Sequence, residues 1–260
     1  MMIESWAVLR GLAIATFVGL CATAAIADDS GSGGEPTEVG GATLGRMGEP
    51  AAVDPNTVKF SEAESRLWMS DHLHNIARPA RLYYQFTRGG SLEEGFSDNV
   101  YLDVVQLNAD GTKDTNVQFF SGERAQPSSP DNVTNVRGNP VLGVYMRGDV
   151  YDMNRLTQGS WRYFQRRIKA ALSERAVIEA ATITFNGRIV AAKRITITPY
   201  ANDPHRVQIE QFVAKRYEFL LSEEIPGTIY QIHTVVPGAS EEDKPLLEET
   251  LTLKSVEFRS

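Results

Sequence analysis

The sequence contains a single cysteine, Cys21, among its 260 residues. A chain with one thiol forms no internal disulfide, which excludes the small disulfide-stabilised secreted scaffolds. Lys and Arg total 26 against 33 Asp and Glu, giving a formal net charge of −7. Because nucleic-acid binding depends on cationic neutralisation of phosphate, this shortage of basic charge argues against nucleic acid as a partner. The 42% hydrophobic content is that of a globular chain stabilised by its own core.

The sequence also lacks the short motifs of the common enzyme classes. It has no Gly-x-Ser-x-Gly nucleophile elbow, no Ser-x-x-Lys pattern with its usual partners, no Gly-rich phosphate loop ending in Lys-Ser/Thr and no dinucleotide fingerprint after a strand. These absences predict no cofactor and favour a non-enzymatic function. An unusual reaction stays open.

The N-terminus has the pattern of a secretory signal. Residues 11–27 carry no charge and are rich in Leu, Ile, Val, Phe and Ala, and Ala25-Ile26-Ala27 supplies small residues for cleavage after Ala27. The apolar stretch is shorter than the ~20 residues that a membrane span requires. We therefore predict a signal peptide over residues 1–27, a mature chain without a transmembrane span, and a periplasmic or secreted location. An uncleaved anchor is the alternative.

The predicted mature chain begins with a linker over residues 28–56. This segment is rich in Gly and Pro, and residues 28–54 hold six acidic side chains against the single base Arg46. Residues 57–260 then form one predicted domain. Most of the negative charge therefore belongs to the linker.

Two periodicities alternate within that domain. A capping box over residues 61–64 starts a short helix, and alternating apolar residues predict strands over 81–86, 100–107 and 116–121. A polar loop follows over residues 124–139. Helices are predicted from Pro140 to Leu156 and after the N-cap Ser160, and the last third returns to strands, with a hairpin at Asn186-Gly187 and a bulge before Val256.

These elements predict an α+β fold: a mostly antiparallel, curved sheet of about seven to nine strands, with an inserted helical hairpin packed on one face. In element order this architecture resembles the periplasmic lipoprotein carriers of the LolA kind. The resemblance implies acyl chains held between a curved sheet and its helices. It rests on element order alone and transfers no functional residue.

Aromatic and basic side chains are the candidate binding residues. An apolar pocket between sheet and helices would be lined by Tyr84, Phe86, Trp161, Phe164, Phe219 and Tyr230, although aromatic residues at such spacings also form ordinary core. Arg162, Arg166 and Lys169 lie away from the apolar stripe of the second helix. They form a candidate face for anionic lipid or a protein partner, or simply a solvated helix surface.

The segment Asp71-His72-Leu73-His74 is the candidate metal site. On a strand, His72 and His74 would point to the same side, whereas on a helix only Asp71 and His74 would share a face. Nothing in the sequence supplies a third ligand nearby. A capping or solvent-exposed role for these residues is the alternative.

The sequence therefore predicts an exported envelope protein that binds or carries an apolar ligand such as a lipid. An interaction or assembly module of the cell envelope, with an envelope protein as partner, is the first alternative. A metal-dependent enzyme or metal-binding protein that uses Asp71, His72 and His74 is the second.

Overall fold

The computed structural model describes residues 59–125, 132–240 and 242–259. The predicted signal segment 1–27 and linker 28–56 lie outside the described residues, so both stay predictions. Among the described residues, no helix combines the length and apolar character needed to span a membrane.

Within the described ranges, nine antiparallel strands form one sheet, and two long helices follow the fourth strand in the sequence. In spatial order the strands run β4-β3-β2-β1-β9-β8-β7-β6-β5, and the outer strands β4 and β5 do not pair with each other, so the sheet is open. The strands are β1 (Ala80–Gly89), β2 (Phe96–Leu107), β3 (Lys113–Phe119), β4 (Val133–Val136), β5 (Val177–Phe185), β6 (Arg188–Ile197), β7 (Arg216–Leu221), β8 (Ile229–Val236) and β9 (Leu247–Phe258). The predicted α+β class is confirmed, and the nine described strands match the upper end of the predicted range of about seven to nine.

The helices begin where the capping residues predict. Ser61 caps the short helix α1 (Glu62–Glu64), and the Ser61 and Glu64 side chains bond each other's backbone amides at 3.1 and 3.0 Å. A π-helical turn (Ser65–Met69) continues α1. The long helices are α2 (Pro140–Thr157) and α3 (Trp161–Glu174), and single 3₁₀ turns occupy Gly122–Arg124 and Glu210–Phe212.

Residues in left-handed conformations form the tight turns of two hairpins. Asn186 and Gly187 adopt φ of 49° and 73° between β5 and β6, the left-handed conformations that a two-residue hairpin turn requires. At the β7–β8 turn, Gly227 has a φ of 82°, and a Cβ there would collide with the Leu82 side chain. The predicted bulge near Val256 is also confirmed, because the β1–β9 register shifts between Tyr83 and Tyr84 and leaves Lys254 unpaired.

One expectation was wrong. The segment predicted as polar loop over residues 124–139 contains the strand β4, which pairs with β3 through Lys113 and Thr115. Its four residues, Val-Thr-Asn-Val, are too few and too polar for a period to be recognised.

The core lies on one face of the sheet. Alternate residues of β1 are buried from Ala80 to Arg88, and the same alternation continues across the neighbouring central strands. Helix α2 contributes Leu142, Tyr145 and Met153, which lie at helical spacing, to this core, whereas Leu156 is only partly buried.

Candidate functional site between helix α2 and the sheet

Asn139 fixes the start of helix α2 against the sheet. Its Oδ1 accepts from the Val141 amide at 3.1 Å, and its Nδ2 donates to the Tyr84 hydroxyl and to the Gly227 carbonyl, both at 2.9 Å. The Asn139 backbone N–H donates to Nδ1 of His72 at 3.1 Å. All polar groups of this buried residue are therefore used to hold one end of the helix.

An aromatic cluster fills the space under α2 beside strands β1 to β3. It consists of Phe86, Phe96, Phe119, Phe120 and Tyr145. The ring centroid of Phe86 lies 4.9 Å from that of Phe120, 5.4 Å from Phe96, 6.4 Å from Tyr145 and 6.5 Å from Phe119. The cluster joins three strands and the helix through edge and tilted ring contacts, which are favourable for aromatic quadrupoles.

Two members of the aromatic cluster, Phe120 and Phe96, have unusual surroundings or conformation. Phe120 is buried with a φ of 70°, a left-handed conformation that bulky residues rarely adopt. Phe96 is only partly buried, and the guanidinium carbon of Arg124 lies 4.7 Å from its ring centroid. The aromatic cluster therefore reaches solvent at Phe96 beneath a basic side chain.

A charged network lies next to the aromatic cluster, under the C-terminal half of α2. We call Arg88, Glu93, Asp152, Arg155 and Glu249 the Arg88 network. Arg88 donates to Glu93 at 2.6 Å and to Asp152 and Glu249 at 2.8 Å each. Arg155 binds Glu93 through two nitrogens at 2.6 and 2.8 Å, and also contacts Asp152. Only Glu93 and Arg155 reach solvent, with side chains 31% and 29% exposed.

The charges of this network are unevenly compensated. Burial alone lowers the pKa of Arg88, but its carboxylate neighbours outweigh that effect and raise it. Burial raises the pKa of Glu249 to about 7, with Asp152 and Asp149 adding to the rise and Arg88 and Lys215 opposing it. Several carboxylates stabilise the charged form of Arg88. Glu249, in contrast, shares the Arg88 guanidinium with the carboxylates of Glu93 and Asp152. The fold therefore opposes the ionisation of Glu249.

A second buried ion pair ties the middle of α2 to strand β7. Lys215 Nζ contacts Asp149 Oδ1 at 2.5 Å, and the Tyr217 hydroxyl donates to Asp149 Oδ2 at 2.7 Å. The Tyr200 and Tyr217 hydroxyls lie 3.3 Å apart, and burial holds the pKa of both far above the ordinary tyrosine value.

Tyr145, Asp149 and Asp152 recur at helical spacing, so one face of α2 carries all three polar contacts to the sheet. The Tyr145 hydroxyl lies 3.1 Å from Thr234 Oγ1 and donates to Glu249 at 3.3 Å. The sequence analysis did not predict this interface, because nothing near Asp149 or Asp152 in the sequence indicates their partners on the sheet. Their spacing from Tyr145 was the available signal.

The predicted pocket residues are divided between the core and its margin. Tyr84, Phe86, Phe164 and Phe219 are buried core residues, whereas Trp161 and Tyr230 are partly buried. Tyr84 and Phe86 lie at the α2 interface, and Phe164 packs edge-on against Tyr200 at 5.7 Å. Trp161 lies 5.6 Å from the ring of Tyr151, and the Tyr230 hydroxyl donates to the Thr184 carbonyl at 3.5 Å.

The predicted basic face lies on the outside of α3. Arg162, Arg166 and Lys169 are all exposed, and Phe164 and Ile168 on the opposite side are buried. We call these three side chains the α3 basic face.

The residues of the predicted metal site lie in turns and bind backbone groups. His72 is buried, its Nε2 donates to the Arg66 carbonyl at 2.7 Å, and its Nδ1 accepts from Asn139. Burial lowers the pKa of the His72 imidazole below its ordinary value. His74 Nδ1 contacts the Asp71 carbonyl at 2.7 Å. Within the part of the chain that the structure describes, no three His, Cys, Asp or Glu side chains gather as metal ligands, so no observation favours the metal hypothesis.

Comparisons with known proteins give no family. No protein-family model and no curated protein matches the sequence. Among solved structures, the chain is similar to the lipoprotein LppX of Mycobacterium tuberculosis, at 8% identity and a TM-score of 0.28 over 66% of this chain and 83% of that one. A LolA superfamily protein from Nitrosomonas europaea matches at 6% identity and a TM-score of 0.23 over 76% and 94% of the two chains. LprF from Mycobacterium bovis matches at 12% identity and a TM-score of 0.28 over 75% and 92%. Likenesses this weak assign neither a family nor an activity.

Proposed function

We propose that this chain is a non-enzymatic envelope protein, exported by its N-terminal signal, that binds and carries an apolar ligand of the lipid class. In this proposal the sheet curves around α2 and α3, which form a hairpin over its apolar face, and the ligand enters between α2 and the sheet. The aromatic cluster carries the proposal, because it lies at this interface and reaches solvent at Phe96. Phe rings give an acyl chain a large apolar contact area.

The ion pairs under α2 support the part of the proposal in which this helix separates from the sheet to admit the ligand. A buried ion pair gains Coulombic energy but loses the hydration of both partners, so its net contribution to stability is small. If the C-terminal half of α2 moves away from the sheet, Asp149, Asp152 and Arg88 regain water. The helix would therefore open at this end more readily than over an apolar interface of equal area, while Asn139 holds its other end.

Native mass spectrometry of the protein, exported from its full-length sequence and purified without detergent, tests the carrier function. We expect a mass excess of lipid size over the polypeptide mass, and saturable binding of a long-chain fluorescent fatty acid after delipidation. The same spectrum gives the mature N-terminus, which we expect next to Ala27. A bare polypeptide mass together with no saturable fatty-acid binding would contradict the carrier function.

Phe96→Ala tests the position of the ligand. We expect weaker fatty-acid binding, because the variant removes the aromatic ring at the solvent edge of the aromatic cluster. The matched control is Phe258→Ala, which removes a ring 42% exposed at the end of β9 that also lies beneath an arginine. Equal binding by both variants would place the ligand elsewhere.

The α3 basic face supports docking on an anionic membrane surface. Each basic side chain near such a surface contributes about 1 kcal/mol, so replacing Arg162, Arg166 and Lys169 by Gln is expected to weaken vesicle binding on the order of 100-fold at low salt. Co-sedimentation with phosphatidylglycerol-containing vesicles measures this loss.

A second triple variant controls for net charge. Arg188, Lys193 and Lys254 are also exposed but lie on strands β6 and β9, so their replacement by Gln makes the same charge change elsewhere. This variant is expected to keep most vesicle binding. Equal losses in the two triple variants would show that net charge, rather than the α3 basic face, governs membrane binding.

A further inference from the structure

The two edges of the sheet are built differently. Strand β4 has four residues, includes Asn135 in the left-handed conformation at φ 55°, and pairs irregularly with β3. Strand β5 has nine residues and pairs with β6 from Val177 to Phe185 without a register shift. A short, distorted edge resists pairing with another chain, whereas a long regular edge favours it.

Strand β5 also lacks the residues that usually protect an edge. Its sequence, VIEAATITF, contains no Pro, Lys or Arg, and Glu179 is its only charge. Val177 is 55% exposed, and Ile189 on the adjacent strand β6 is 76% exposed. One backbone group of the strand is occupied, since the Thr184 carbonyl accepts from the Tyr230 hydroxyl at 3.5 Å.

The strand is compatible with an antiparallel copy of itself. A twofold axis at Ala181 would pair all nine residues, with Val177 opposite Phe185 and Glu179 opposite Ile183 of the second copy. Glu179, the only charged residue of the strand, does not lie on the twofold axis, so the two Glu179 side chains are not directly opposite each other. The apolar pair of Val177 and Phe185 lies at each end of the interface. A twofold interface uses the β5 edge of both copies and leaves neither β5 edge exposed.

We infer that β5 is a self-association edge at which a second copy of this chain adds its own β5 in antiparallel pairing. The two nine-stranded sheets then form one continuous sheet across the dimer. The occupant is a second copy because the strand's own charge pattern is compatible with twofold pairing. This interface lies outside the α2 site, so it holds or fails independently of lipid binding.

Sedimentation velocity of the full chain over a concentration series tests this interface. We expect a monomer–dimer equilibrium in the micromolar range. Thr182 is exposed next to the proposed axis, so Thr182→Lys and Thr182→Glu each place like charges of the two copies side by side. Each variant alone is expected to dimerise about tenfold more weakly, and an equal mixture of the two is expected to recover the dimer.

The control is Ile189→Lys, which adds a charge to an exposed face beside the edge without lying on it. This variant is expected to dimerise like the parent chain, and circular dichroism and thermal unfolding check that every variant is folded. A parent chain that stays monomeric into the high-micromolar range would overturn the inference. So would a dimer that Thr182 substitutions leave intact, a mixture that does not recover the dimer, or a dimer lost in Ile189→Lys.

Discussion

Replacing Glu249 by Gln is expected to remove a pH-dependent destabilisation of the fold. The pKa of Glu249 is raised from 4.5 to about 7 in the folded state. Between pH 4.5 and about pH 7, Glu249 is protonated in the folded chain but ionised in the unfolded chain. The free energy of unfolding therefore falls as the pH rises through this interval. Each pKa unit corresponds to about 1.4 kcal/mol, so the ionisation of Glu249 costs about 3 kcal/mol above pH 7.

Urea unfolding from pH 4.5 to pH 8.5 measures this effect. The difference in the free energy of unfolding, variant minus parent, is expected to rise by about 3 kcal/mol between pH 4.5 and pH 7 and to stay constant above it. Taking this difference at each pH cancels the titration of groups that both proteins share, such as His72. Gln keeps a carbonyl oxygen that can accept from the Tyr145 hydroxyl, so the hydrogen bond at 3.3 Å has a replacement.

Glu257→Gln is the matched control, because Glu257 is exposed on the same strand and loses the same charge. Its difference from the parent chain is expected to stay within about 0.5 kcal/mol across the series, as is usual for surface substitutions. If the Glu249→Gln profile runs parallel to that of the parent chain, the buried carboxyl does not titrate in this window and the reasoning is refuted.

Three further substitutions test the attachment of α2 and its neighbouring turn. Lys215→Met leaves Asp149 buried without its cation and is expected to lower the free energy of unfolding by about 3–5 kcal/mol in urea titrations, whereas an exposed pair would lose under about 1 kcal/mol. Asn139→Ala removes the N-cap and the donor to Tyr84, for an expected loss of about 3 kcal/mol by the same assay; a loss within experimental error would show that α2 is fixed elsewhere. Gly227→Ala forces a side chain into the left-handed region and is expected to cost about 2 kcal/mol, a fall in Tm of roughly 4–8 °C by calorimetry, and an unchanged Tm would contradict it.

Local signals predicted the elements of the fold well. The capping box at Ser61, the first-turn Pro140 and the Asn186-Gly187 turn each act within a few residues, so the sequence around them is enough to place a boundary. Strand β4 escaped prediction because four residues provide two repeats of the strand period, and its place in the sheet depends on pairing with β3.

The polar interface under α2 depends on contacts that sequence reasoning could not supply. Arg88 and Glu249 bond each other across 161 residues, and Asp149 and Lys215 across 66. A charged residue in phase with an apolar stripe is either buried with a partner or exposed at a strand end. Which of the two occurs depends on the tertiary structure. Glu249 alternates in phase with Leu247 and Leu251, so the sequence showed that this carboxyl faces the same side as the apolar residues. The sequence did not show that Arg88 is its partner.

The strand order also has a consequence for how the protein folds. Every neighbouring pair of strands is consecutive in sequence except β1 and β9, the first and the last, which meet at the centre of the sheet. The chain therefore consists of two meanders, β1 to β4 and β5 to β9, whose internal pairings close shorter loops and are expected to form first. Among the described strands, the two meanders pair with each other only through the last strand, Leu247–Phe258. The β1–β9 pairing, which completes the sheet, is therefore expected to form after the pairings within each meander.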